Sequence, residues 1–230
     1  MSLRNYIEEQ VHKLGIEVNS ETLEQLCNYI KDLVKWGTVH NLSGSDSAEE
    51  LVDRLVLDSA LVLFHIDFIC KLSKLNKPSI IDIGSGNGSP GIVWAIFKKN
   101  INLNLVEKSR KKFAFLNNVI GALKLSSRVK VHNQRIEECF PFIGLNIITC
   151  KAFMDIENFL NITDRFAKMD TYWVLMTTAK LSQGLSDKFL EKKGIIRMSD
   201  LDSGVKILDR NYERNFLNKK VLILKKAFEN

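Results

Sequence analysis

Residues 79–93 read S-I-I-D-I-G-S-G-N-G-S-P-G-I-V, and no other stretch restricts the fold as strongly. Ile80, Ile81 and Ile83 are β-branched and apolar, which predicts a short buried strand over 80–83. Gly84, Gly86, Gly88 and Gly91 follow, and glycine admits the positive-φ turn and close backbone approach that a Cβ would block. Ser89 and Pro90 suit an N-cap and a first helical position, so a helix is expected to begin there with its free N–H groups toward the loop. Strand, glycine loop and helix together make a cradle for a nucleotide-like ligand. The next apolar run, 103–106, ends at Glu107, about twenty residues past the glycines, where a carboxylate can accept the hydroxyl protons of a ribose.

Two cofactor classes use this arrangement, dinucleotides and S-adenosylmethionine, and the pattern alone does not separate them. Gly86, Gly88 and Gly91 satisfy G-x-G-x-x-G, but counted from the strand end the loop is G-x-G-x-G, with Ser89 where a dinucleotide loop has its third glycine. Asp82 is an additional acid inside the strand. A tight glycine turn without any ligand is the bland alternative.

Ahead of this stretch the spacing is helical. Leu3, Ile7, Val11 and Leu14 form one apolar face, and Leu23, Leu26, Cys27, Ile30, Leu33 and Val34 form another after Gly15. Residues 36–44 read as a connection, and Ser47 with Glu50 forms a capping box opening a third helix with Leu51, Leu55 and Leu61, interrupted by Asp58. Residues 1–77 are therefore expected to be a helical cap joined to a core at 78–230 as one domain. Beyond 79, strands (80–83, 102–106, 128–132, 145–149, 172–177) alternate with helical segments (90–99, 110–124, 135–138, 155–168, 183–192), which means a doubly wound parallel sheet. Two late strands, 195–198 and 221–224, lack a strong helix between them and suggest an antiparallel hairpin closing the sheet.

Composition excludes several classes. With 45% hydrophobic and 26% charged residues the chain is ordinary globular protein. Its apolar runs fall short of the roughly 20 residues of a bilayer span, so no membrane association and a cytoplasmic location are expected. The four cysteines lack a C-x-x-C pair and the four histidines lack ligand spacing, so no metal is expected. A net charge of +6 is compatible with a polyanionic partner. Lys108, Arg110, Lys111 and Lys112 read either as a basic rim beside the cofactor mouth or as a solvated face of a helix whose buried side carries Phe113, Leu116, Ile120 and Leu123. The cations from Arg210 to Lys226, Lys219 among them, flank the last strand, where outward lysines also protect a sheet edge. Arg135, Glu137 and Glu138 follow the third strand, at a carboxyl-edge loop where an acid or amide could hold an adenine edge. Lys151, among Cys150, Ala152 and Phe153, is a cation in an apolar loop at the same edge.

Six motifs in order, K-W-G-T-V-H-N-L-S at 35–43, R-L-V-L-D-S at 54–59, D-I-G-S-G-N-G-S-P-G at 82–91, E-K-S-R-K-K-F-A-F-L at 107–116, R-I-E-E at 135–138 and K-A-F at 151–153, resemble the bacterial small-subunit ribosomal RNA guanine-N7 methyltransferases, also called glucose-inhibited division protein B. The resemblance implies a Rossmann-like class I S-adenosylmethionine-dependent methyltransferase fold with a seven-stranded mixed sheet. It implies methyl transfer from S-adenosylmethionine to a guanine N7 of 16S ribosomal RNA, free or in the small subunit, by a monomer. Cofactor contacts then fall on Asp82, Gly84, Gly86, Gly88, Ser89, Ile136, Glu137 and Lys151, with Glu107 on the ribose. Lys151 is the catalytic candidate, and Arg54, Arg110, Lys111, Arg135 and Lys219 are the RNA-binding ones. The chain departs from the family at Ser89 (usually Phe or Leu), Lys151 (usually Arg), Gly37 (often Asn) and Leu55 (often His), and lacks the late Lys-Gly. An NAD-dependent oxidoreductase and a noncatalytic RNA-binding assembly factor on a methyltransferase fold are the competing classes.

Overall fold

A computed structural model describes residues 1–40, 47–151, 155–198 and 219–228. Helix α1 (Leu3–Lys13) starts where the Ser2 hydroxyl accepts from the Asn5 amide, and buries Ile7 and Val11. Helix α2 (Ser20–His40) is opened by the Asn19 side chain accepting from Thr22 N at 2.9 Å. It does not end before Trp36 as the sequence suggested. The Trp36 ring packs edge-on against Phe115 at 5.6 Å, so the helix gains by continuing to His40, and the rest of the expected connection, 41–44, lies outside the described residues. Val34, expected inside, is 36% exposed.

The Ser47–Glu50 capping box forms in both directions and opens α3 (Ala48–Leu51). One apolar rod follows, a π-helical stretch at Val52–Leu57 and then α4 (Asp58–Leu72). Asp58 does not disrupt its packing, because the side chain is 2% exposed and paired with Lys151 at 3.4 Å.

Seven strands follow: β1 (Ser79–Ile83), β2 (Asn102–Val106), β3 (Val129–His132), β4 (Ile147–Lys151), β5 (Tyr172–Thr178), β6 (Ile195–Arg197) and β7 (Lys219–Lys226), in the sheet order β3-β2-β1-β4-β5-β7-β6. The first five are parallel, and β7 runs antiparallel to both its neighbours. The expected terminal hairpin pairing exists, but β7 lies between β5 and β6 and is not an edge strand. Its lysines therefore do not guard an edge. Lys226 is 5% exposed and bonds Asp164 at 2.8 Å, while Lys225 reaches Asp170 and lies over the Tyr172 ring.

Crossover helices are α5 (Gly91–Phe97), α6 (Arg110–Ala122) and α7 (Ile156–Thr163), the last continued by a 3₁₀ turn at Asp164–Phe166. A single helix expected over 183–192 is instead two, α8 (Ala179–Gln183) and α9 (Asp187–Lys192), because the Ser186 side chain caps a new start. Helix α6 buries Phe115 and Val119 beside Leu116 and Ile120, whereas Phe113 is only half-buried.

Strand alternation divides the core. Ile80, Leu103, Leu105, Ile147 and Val174 face the cap helices, α5 and α6, whereas Ile81, Ile83, Val106, Ile148 and Trp173 face the α7 side. Helices α1, α2 and α4 share the first of these clusters with the sheet. Polar bonds join the same layers: Gln25 Nε2 donates to Leu123 O at 2.8 Å, Tyr29 Oη to Asn87 O at 2.9 Å and Trp94 Nε1 to Ser59 O at 2.9 Å. Removing residues 1–77 exposes the apolar side chains of this cluster that the cap helices cover, each large one of which contributes about 1.5–3 kcal/mol when buried. A fragment starting at Pro78 is expected to lack a cooperative unfolding transition in urea, and a sharp transition with full cofactor affinity would make the cap dispensable.

Candidate functional site

The topology places a switch point between β1 and β4, where the chain leaves the sheet in opposite directions and a crevice opens at the carboxyl ends. The glycine loop fills one wall. Gly84 N and Ser85 N both donate to Val106 O, at 2.9 and 3.1 Å, drawing the loop toward β2. Gly84, Gly86 and Gly88 have φ of +71°, +57° and +94°, which explains the need for glycine there. Ser89 does not cap a helix. Helix α5 starts at Gly91 after Pro90 without a side-chain cap, and the Ser89 hydroxyl points instead into the helical cap.

Glu107 directly follows β2 and is 6% exposed. One carboxylate oxygen accepts from Gly86 N at 2.8 Å and the other from Ser109 N at 2.7 Å. The acid expected to face a ribose therefore also fixes the glycine loop. Each carboxylate oxygen keeps a second lone pair, so a diol can be bound without breaking either bond. A cavity of about 250 Å³ opens beside it, lined by Ile83, Gly84, Val106, Glu107, Ile136 and Glu137 together with Lys108, Lys112, Gln134 and Arg135. Ile83, Val106 and Ile136 make an apolar slot with acids at its rim, a shape that suits a flat heterocycle attached to a polyol. Ile83, Val106 and Gln134 were not anticipated from the sequence. Ile83 and Val106 were read as core only, although the final residue of a parallel strand borders the crevice by position.

Asp82 does not line this cavity. Strand alternation turns it toward α5 with Ile80, and its Oδ2 accepts from Gly91 N at 3.1 Å while Oδ1 is buried without a partner. Burial pushes its carboxyl from 3.8 up to about 7; the Gly91 amide and the Lys151 charge oppose the rise and the Glu107 charge adds to it. Between these values the folded protein holds a proton that the unfolded chain has released. Stability contributed at this site is thus greatest at low pH and falls as pH rises from about 4 to above 7. Asp82→Asn, which keeps one acceptor for Gly91 N, is expected to flatten this trend. Urea midpoints of both proteins across that range check it, and parallel pH profiles would exclude Asp82 as the source.

Lys151 ends β4, and its Nζ lies 2.9 Å from Arg54 O, 3.2 Å from Ser89 Oγ and 3.4 Å from Asp58 Oδ2. Its neighbours Ala152 and Phe153 lie outside the described residues. The site is thus two adjoining parts, the slot beside Glu107 and a polar cluster joining the glycine loop, β4 and the cap.

Residues 22–197 match the family model described as GidB, rRNA small subunit methyltransferase G. The chain belongs to this family. A GidB relative from Dichelobacter nodosus, named ribosomal RNA small subunit methyltransferase G, is 36% identical over 163 residues, covering 71% of this chain and 73% of its own. One of the same name from Methylobacillus flagellatus is 29% identical over 174 residues, covering 76% and 80%. Among solved structures, the [4+2]-cyclase SpnF aligns with a TM-score of 0.55 at 13% identity, covering 89% of this chain and 96% of that one. Geranyl diphosphate methyltransferase in complex with GPP and sinefungin aligns with a TM-score of 0.50 at 11% identity, covering 91% and 100%. At such identities these two speak for the fold alone, a Rossmann-like seven-stranded sheet, and a cyclase among them illustrates that fold does not set chemistry.

The remaining sequence candidates lie on several elements, and of them only Arg135 lines the cavity. Arg54 is exposed on the π-helical stretch while its carbonyl lies under Lys151. Arg110 and Lys111 are exposed at the start of α6 and outside the cavity wall, which takes Lys108 and Lys112 instead. Arg135 is exposed, with Nε 3.9 Å from Glu137 Oε2. Lys219 pairs with Thr178 at the carboxyl edge through the backbone, and the Arg210 and Arg214 part of that basic cluster lies outside the described residues. No helix among the described residues is long and apolar enough to cross a membrane.

Proposed function

We propose that this GidB-family chain transfers a methyl group from S-adenosylmethionine to N7 of a guanine in 16S ribosomal RNA. The observation that carries this reading is the slot at the switch point, where a bare glycine backbone, a buried carboxylate and three apolar side chains face one space, in a chain of this family. The donor set fits the cofactor. Glu107 accepts the ribose hydroxyl protons, Ile83, Val106 and Ile136 flank the adenine, the Ile136–Glu137 segment meets its edge, and Gly84 and Gly86 let the chain lie close to the rest, whereas a Cβ at Gly88 would meet Ile92 and Leu116 of the protein itself.

When bound, S-adenosylmethionine supplies an electrophilic methyl group. Guanine N7 presents a lone pair and no proton, so no side chain has to remove one before attack. What the protein contributes is alignment and exclusion of water. The reacting purine becomes cationic, so an ammonium beside N7 opposes the reaction. Lys151 is useful on an acceptor, guanine O6 or a phosphate, taken in exchange for one of the three protein acceptors around its three ammonium protons. The exposed cations Arg54, Arg110, Lys111 and Arg135, together with Lys219, serve the RNA backbone, with binding that weakens as salt rises.

Labelled-methyl transfer to ribosomal RNA from a strain lacking the gene, followed by nucleoside analysis, tests the reading, and label anywhere but 7-methylguanosine overturns it. Lys151→Ala is expected to lower transfer by about 10- to 100-fold, equivalent to roughly 1.4–2.7 kcal/mol. Cofactor affinity by calorimetry should fall much less. Equal losses in both would assign Lys151 to the cofactor pocket.

A further inference from the structure

Lys151, Ser89, Ser59 and Leu55 are joined by a chain of hydrogen bonds whose direction can be worked out. Ser59 Oγ is 2.6 Å from Leu55 O, and a carbonyl only accepts, so the one proton of Ser59 is directed there. Ser89 Oγ lies 2.9 Å from Ser59 Oγ and 3.3 Å from Leu55 O. Whichever of the two it takes as its acceptor, the Ser89 proton points away from Lys151. Its oxygen is then left to accept from the Lys151 ammonium at 3.2 Å. Both hydroxyls are buried, Ser59 at 0% and Ser89 at 6%, so water does not readily substitute for either.

The acceptors around the ammonium come from different parts of the fold. Arg54 O belongs to the π-helical stretch and Asp58 Oδ2 to α4, both on the cap side, whereas Ser89 belongs to the glycine loop. A lysine head is a compact charge on a flexible stem, so its direction is set by its surroundings, unlike a flat guanidinium with a fixed fork. With Ser89 absent, both remaining acceptors named here pull the ammonium toward the cap.

We propose that Ser89 is a positioning residue for methyl transfer. It aims the Lys151 ammonium and so links the loop that seats the methyl donor to the group that orients the target base. The proposal rests on the functional reading above for what Lys151 does, but the Ser89–Lys151 coupling itself can be measured without turnover.

A double-mutant cycle tests it. Ser89→Ala is expected to lower the turnover number for ribosomal RNA about tenfold, with the S-adenosylmethionine dissociation constant changed by no more than about twofold; a tenfold change corresponds to about 1.4 kcal/mol. In a Lys151→Met background the same Ser89→Ala change should cost less than about twofold, because its partner is gone. Ser89→Thr, which keeps the hydroxyl, should restore turnover. Ser89→Gly, which removes the same oxygen without adding bulk, should repeat the alanine result. Independently of activity, acetylation of Lys151 followed by mass spectrometry should be several-fold faster in Ser89→Ala than in the native protein or Ser89→Thr, since the side chain loses one of the contacts that hold it in its cluster. An equal cost of Ser89→Ala in both backgrounds, or unchanged Lys151 labelling, overturns the proposal. If the labelling changes as stated while the native protein transfers no methyl group to ribosomal RNA, the functional reading fails, and with it the role in methyl transfer, and only the Ser89–Lys151 coupling stands.

Discussion

Alanine at Gly91 is expected to lower the unfolding free energy by about 3 kcal/mol, the upper end of the usual cost of overpacking a core. An added Cβ would lie 2.6 Å from Leu105 Cδ2, 2.7 Å from Asp82 Oδ2 and 3.2 Å from Leu103 Cδ2. Leu105 is completely buried, so its side chain can shift only by displacing the neighbours packed around it. Asp82 is held through Gly91 N, so the start of α5 must retreat and lengthen the one bond its carboxylate makes to that helix. With a total stability of about 5–15 kcal/mol for a typical domain, such a loss is severe. Gly121→Ala is the control. It lies in α6 with nothing within 4 Å of the added atom, and should stabilise by up to about 1 kcal/mol. Denaturant midpoints for both variants check the pair, and a Gly91→Ala midpoint equal to the native one would mean that α5 is not held this tightly.

The second large effect concerns Glu107. Glu107→Ala is expected to weaken S-adenosylmethionine binding about a hundredfold, near 3 kcal/mol, the upper end for hydrogen bonds to a charged group. A ribose contact alone would give less. The carboxylate also anchors Gly86 N and Ser109 N, so its loss frees the loop that forms the opposite wall. Glu107→Gln keeps one oxygen acceptor but turns an amide donor toward the other N–H, and an intermediate loss of about tenfold is expected. Calorimetric titration distinguishes these outcomes. Equal affinity for all three proteins would remove Glu107 from the site.

The reason Glu107 and the glycines could be recognised in advance is that both lie where a local pattern changes. Glu107 follows an apolar alternation, and Gly84, Gly86 and Gly88 occupy turns whose φ a side chain rarely adopts. The capping box at Ser47 and Glu50 was legible for the same reason, since its two bonds span three residues. The failures share an opposite cause. Trp36 looked like the start of a connection because its partner, Phe115, is remote in sequence. Ser89 looked like a cap because Ser-Pro often is one, but burial against Ser59 gave its hydroxyl a better partner. The lysines of β7 looked like edge protection because order within a sheet is not written in any one strand. Asp82 was grouped with the cofactor contacts through its motif, whereas strand parity turns it to α5.

By itself the sequence determined the alternating sheet architecture, the cradle and the acid that serves it, because period, turn conformation and strand ends depend on neighbouring residues. Only the tertiary structure decided what Lys151 and Asp58 do. Each would be costly to bury alone, and they meet because the π-helical stretch brings Arg54 O to a lysine 97 positions away, beside a serine from a third segment. Long-range pairing of charges follows from how layers pack, and that is a property of the whole folded chain.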